Sequence, residues 1–97
     1  MIRHIVFFTA KDPADLDTIH DGLMTLADIP HSTHFEVGRN VKTDTMTGAE
    51  PDLVVYADFV DEAALAAYKA HPIYSASITR VRPLRDMRIA ADFSTTS

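Results

Sequence analysis

Two stretches of the chain carry large apolar side chains on both faces of an extended strand. A sheet with one wet face does not accommodate that pattern. Residues 2–10, Ile-Arg-His-Ile-Val-Phe-Phe-Thr-Ala, are rich in the β-branched and aromatic residues that favour strands. Alternation sets Ile2, His4, Val6 and Phe8 on one side and Arg3, Ile5 and Phe7 on the other. In residues 53–60, Leu53, Val55, Ala57 and Phe59 oppose Val54, Tyr56 and Asp58. Helices can cover one of these faces. The other, with Ile5, Phe7, Val54 and Tyr56, needs a partner, and a symmetric homodimer is the simplest one.

The segments between the strands supply the helices. Asp12-Pro13 reads as an N-cap followed by a proline at the first helical position, and Leu16, Ile19, Leu23 and Leu26 then make one apolar stripe. Gly22 weakens that helix, and Ile29-Pro30 ends it, because the residue before proline avoids the helical region. His34 to Val41 alternates as a second strand, with Phe35, Val37, Arg39 and Val41 on one side. Residues 42–51 form a polar loop. Asp61 caps a helix that stops after His71 at Pro72, and Tyr68 and His71 share one of its faces. A second short helix places Tyr74, Ile78 and Val81 together until Pro83. Residues 84–93 are the fourth strand, and residues 94–97 a frayed tail. The order β-α-β-β-α-β is the ferredoxin-like pattern, so an α+β single domain over residues 1–97 is expected.

Composition excludes several function classes. There is no cysteine, hence no disulfide and no thiolate chemistry. A net charge of −5 argues against a nucleic-acid footprint. The first apolar run, Ile5 to Phe8, is too short for a signal peptide or a membrane span, so a cytoplasmic protein without a membrane partner is expected. His31 and His34 hint at a metal pair, but zinc wants at least three protein ligands, and neither a metal nor a cofactor is expected.

The stretch Asp58 to Tyr74 contains the pattern F-x-x-x-x-x-L-x-x-Y-x-x-H-P, from Phe59 to Pro72. With Arg3-His4-Ile5-Val6-Phe7-Phe8, Ile29-Pro30, Gly38-Arg39-Asn40, Asp52 through Phe59 and Ala90-Ala91-Asp92-Phe93, it resembles the stress-responsive A/B barrel family. The resemblance implies two sheets pressed face to face into a dimeric α+β barrel. Plant polyketide cyclases share this fold. Similarity to them implies a pocket between sheet and helices, where a histidine–aspartate dyad works with a tyrosine. On this chain the tyrosine falls on Tyr68 and the aspartate on Asp92. The dyad histidine falls on Tyr74, and a second pocket histidine on Leu53. The chain thus keeps His4, Tyr68 and Asp92 and lacks the principal base.

Each candidate also has a plain structural reading. His4 is either a satisfied core residue or a group titrating near neutrality. Tyr68 either packs or reaches across a pocket with its hydroxyl. His71, at a helix C-terminus, suits the helix dipole as a cation, with ligand contact the alternative. Tyr74 can donate a hydrogen bond but is a poor base at neutral pH. Asp92 is a partner for Tyr74 or His4, or an exposed strand-end carboxylate. Arg80, Arg82, Arg85 and Arg88 suit either a bound anion or a solvated rim paired with Asp58, Asp61 and Glu62. Two functions follow: a small-molecule-binding barrel, or a small lyase or cyclase acting on a carbonyl compound. In the second, His4 moves a proton, Tyr68 polarises an oxygen and Asp92 orients a neighbour.

Overall fold

The computed structural model describes residues 1–95. Its central strand is β1, Ile2–Ala10, which pairs antiparallel with β3, Leu53–Phe59, on one side and β4, Arg85–Ser94, on the other. The strand β2, His34–Arg39, adds to β3, giving the antiparallel order β2-β3-β1-β4. Three helices lie against one face: α1, Leu16–Met24; α2, Glu62–Ala70; and α3, Pro72–Val81. The architecture is α+β and ferredoxin-like.

Alternation along β1 and β3 decides the core. Ile2, Val6, Phe8, Leu53, Val55 and Phe59 point toward the helices and are buried. Burying each such side chain contributes roughly 1.5–3 kcal/mol. The helices answer with Ile19, Leu23, Leu26, Leu65, Tyr68 and Val81. On the open face, Ile5 and Phe7 lie beside Tyr56 and Val54 on one flank and Ala91 and Ile89 on the other. Ile89 and Phe93 are 55% and 50% exposed there, so this side is apolar and uncovered in the single chain. At one end Arg3 bonds both the Tyr56 hydroxyl and Asp58.

Several element ends depart from the expected ones. Asp12 does cap, accepting from Ala14 N–H at 3.0 Å, but the first turn, Pro13–Asp15, is a 3₁₀ turn before α1. At the far end α1 gives way to another 3₁₀ turn, Thr25–Asp28. The Thr25 and Ser77 hydroxyls both donate to the Gly22 carbonyl, at 2.6 and 2.9 Å. That carbonyl is the acceptor Leu26 N–H would take in a continued α-helix. Gly22 itself marks a close approach, since a Cβ there would stand 2.9 Å from Val81 Cγ2.

The second strand stops at Arg39, short of the expected Val41, which is 81% exposed. Asn40 turns the chain out of the sheet, its side chain donating to Pro51 O and accepting from Lys42 N–H. The third strand ends at Phe59, one residue earlier than expected. Ser94, expected in a frayed tail, pairs with Ile2 as the last residue of β4, and Thr95 N–H donates to Met1 O at 3.0 Å. The rest of that expected tail lies outside the described residues.

Candidate functional site

His4 sits at the middle of the helix-facing side of β1, with Ala57 opposite on β3 and Asp92 opposite on β4. Residues directly opposite on an antiparallel pair bring their side chains into contact. The Asp92 carboxylate accordingly accepts from His4 Nδ1, while its other oxygen lies 3.8 Å from Lys69 Nζ. A carboxylate only accepts, so Nδ1 carries the proton and Nε2 keeps its lone pair. The ring is 1% exposed and is wedged edge-on against Phe59 and Tyr68, at centroid distances of 6.2 and 6.0 Å. Burial lowers the pKa of the imidazole, Asp92 pulls the other way, and Lys69 and Arg88 add to the lowering. The net direction is down, which leaves His4 neutral at pH 7.

Tyr68 reaches the same place from α2. Leu65 and Tyr68, three apart, face the sheet, and Asp61 fixes the start of the helix by accepting from Ala64 N–H at 2.8 Å. Burial, with Tyr74 close by, raises the pKa of the Tyr68 phenol, so it stays a proton donor. Among the described residues its hydroxyl and His4 Nε2 make no hydrogen bond to protein, yet no sealed side-chain nitrogen or oxygen there lacks a partner. Both atoms therefore open onto free space.

That space is a cavity of about 230 Å³ between β1, the end of α1, α3 and the start of β4. His4, Tyr68 and Tyr74 form its polar floor, Phe8, Leu23, Leu26, Ile78 and Val81 its apolar walls, and Arg82, Arg85 and Arg88 its rim. Tyr74 packs edge-on against Tyr68 at 5.3 Å, and Arg88 Nη2 lies 3.5 Å from its hydroxyl. The arrangement offers a neutral base, a phenolic donor and a cationic mouth around an apolar chamber.

The other candidates lie apart. Asp92 stands behind His4 and does not line the cavity; it reaches the chamber only through the imidazole. Leu53 is 1% exposed within the core and is not part of the lining. His71 lies between α2 and α3, where its Nδ1 accepts from Ile73 N–H at 3.1 Å. That bond needs a lone pair, so the ring serves α3 as an N-cap acceptor instead of serving α2 as a cation. His34 bonds Glu36 at 2.6 Å, and His31 packs on His71. Among the described residues, no three histidine, aspartate or glutamate side chains cluster closely enough to hold a metal ion, and no helix is long and apolar enough to cross a membrane.

The arginines are where sequence reasoning fell short. Asp58 pairs with Arg3 and Asp61 caps α2, so neither serves the expected surface network. Among the described residues, none of Arg80, Arg82, Arg85 and Arg88 has a carboxylate within 4.0 Å. The available signal was position: Arg82 flanks the helix end at Pro83, and Arg88 shares the helix-facing side of β4 with Asp92.

Comparison with known proteins gives a coherent result. The family model described as the stress-responsive A/B barrel domain matches residues 2–95. A dimeric ferredoxin-like protein of unknown function from Thermobifida fusca is similar, with 28% identity over 97% of this chain and 90% of that one and a TM-score of 0.81. A protein of the same family with a ferredoxin-like fold, from Mesorhizobium loti, has 26% identity over 99% and 97% of the two chains, also with a TM-score of 0.81. An Arabidopsis thaliana protein, 22% identical over 100% of this chain and 97% of that one, shares the fold with a TM-score of 0.83. No curated protein matches the chain.

Proposed function

The chain belongs to the stress-responsive A/B barrel domain family, and on that footing we propose that it acts as a homodimer whose cavity binds a small organic molecule. Two polar groups facing one chamber carry this reading: His4 Nε2 and the Tyr68 hydroxyl, neither bonded to protein among the described residues. Polar groups that face a chamber take their hydrogen-bond partners from what fills it, solvent or ligand. The dimer rests on the uncovered apolar face of β1, β3 and β4, and on the dimeric state described for the Thermobifida fusca protein.

A second reading, acid–base chemistry on a carbonyl compound, is favoured by the His4–Asp92 pair. The neutral Nε2 takes a proton from the substrate, and the imidazolium that forms stays bonded to Asp92. The Tyr68 hydroxyl meanwhile donates to the carbonyl oxygen on which negative charge develops. His4 here takes the part of the base that the cyclase resemblance put at Tyr74.

A screen of small organic molecules by thermal shift, followed by Tyr68→Phe and His4→Ala, tests both readings. Losing one hydroxyl contact costs about 0.5–1.5 kcal/mol, or roughly 2- to 10-fold in affinity, with the melting temperature nearly constant. His4→Ala abolishes turnover if there is any. Unchanged binding in both variants would sink the cavity as a ligand site.

A further inference from the structure

We infer that the ligand of this cavity is a compact organic anion, with an apolar body in the chamber and an oxyanion head between Arg82, Arg85 and Arg88. The inference deepens the binding reading above and rests on it. Three observations converge. The first is charge placement in an acidic chain. With 14 carboxylate residues against nine basic ones, unpaired arginines are not forced by shortage. Arg3, Arg39, Lys42 and Lys69 all find a carboxylate, at 3.2, 2.7, 2.7 and 3.8 Å. Lys11, Arg80 and the three rim arginines find none among the described residues, and of these five it is Arg82, Arg85 and Arg88 that line the cavity; Asp86 is adjacent to Arg85 in sequence. Among the described residues Arg85 donates to the Asp86 backbone carbonyl at 3.2 Å, and Arg88 approaches the Tyr74 hydroxyl.

The second observation is chemical. The guanidinium is a planar fork of donors that matches carboxylate and phosphate geometry. Three of them at one mouth, beside the Tyr74 hydroxyl, outline a receptor for oxygens bearing negative charge. The third is shape. Below the rim the walls are Phe8, Leu23, Leu26, Ile78 and Val81, which offer no charge partner. At about 230 Å³, the chamber is smaller than the roughly 300–1,000 Å³ typical of drug-sized ligand sites. One ring with a short tail matches that room. A neutral polar molecule leaves the arginines unused, and a polyanion leaves charge over apolar walls.

The test compares 4-phenylbutyrate with 4-phenylbutan-1-ol, which have the same carbon body and differ only in the head group. Binding is followed by calorimetry and by the imidazole signals of His4 in NMR spectra. The acid should bind about ten-fold more tightly or better, as expected of a charge-assisted contact. That preference should shrink as ionic strength rises. It should fall to near unity in the triple variant Arg82→Gln, Arg85→Gln, Arg88→Gln, whose fold is checked by its melting curve. Since all three side chains sit at the rim, Arg88→Gln alone serves as the milder version. Equal binding of acid and alcohol, with His4 signals shifted by both, overturns the anion inference and leaves the cavity reading standing. A preference that survives in the triple variant overturns it as well. If neither compound binds or moves the His4 signals, both readings fall together.

Discussion

Replacing Asp92 with asparagine isolates what the carboxylate does for His4. The substitution keeps the shape of the side chain and removes its charge. A hydrogen bond to a charged group contributes about 1.5–3 kcal/mol. That bond holds the imidazole pKa up against the pull of burial. The Asp92 side chain keeps 34% of its surface in water, which screens the interaction toward the low end. A further fall of the His4 pKa is expected. Nothing restores it: burial, Lys69 and Arg88 all lower the pKa already, and Tyr68 and Phe59 are neutral neighbours.

The consequence for stability has a definite sign. The folded pKa of His4 lies below its unfolded value, so between the two the unfolded chain binds more protons. Stability therefore drops as pH falls from about 6.5 toward the folded pKa. In Asp92→Asn this window extends to lower pH, and the acid loss deepens. A ¹⁵N-detected imidazole titration measures the pKa and reports which nitrogen is protonated, and urea melts at several pH values measure the stability limb. An unchanged or raised His4 pKa in the variant would refute the reasoning.

Ile5→Asp puts a charge in the middle of the uncovered face and should give a monomer or an unfolded chain by light scattering; an intact dimer would show that this face is not the contact. Gly22→Ala gains about 1 kcal/mol of helix propensity but forces a methyl against Val81, and overpacking costs roughly 1–3 kcal/mol. A lowered melting temperature is expected, and a raised one would mean that α1 and α3 yield without strain. His71→Ala removes the N-cap of α3 and should cost about 0.5–2 kcal/mol. Ligand affinity, measured by calorimetry, should stay the same, because the ring does not line the cavity.

What could be read from the sequence was what is local. Alternation assigned Ile2, His4, Val6 and Phe8 to the helix side, Asp12 and Asp61 announced helix starts through capping, and Pro72 announced the end of α2. The ends of elements were harder, since Asn40 and Gly22 act through partners elsewhere in the fold. Of the site, His4, Tyr68 and Asp92 were visible as candidates, and the sequence left open whether Tyr74 or His4 would bond Asp92. The encounter of His4 with Asp92 depends on the β1–β4 register, a non-local choice with no signature near either residue. The rim arginines were visible as a cluster. Their direction was not, because a charged run reads as solvated until an adjoining hollow is known.

The β1–β4 pairing also carries a consequence for how the molecule matures. The strands that hold His4 and Asp92 are the first and the last of the sheet, and their meeting closes a span of 88 residues. Contacts so distant along the chain are paid for in loop entropy before they return anything, and they form late and slowly. β1 waits with one edge vacant until β4 arrives, while β2 and β3 need only a short connection. No folding intermediate that lacks β4 can therefore contain the imidazole–carboxylate pair or the Arg85 and Arg88 side of the mouth. Capture of an anion would then report completed folding, and a chain nicked or cut shortly before β4 would lose the site outright.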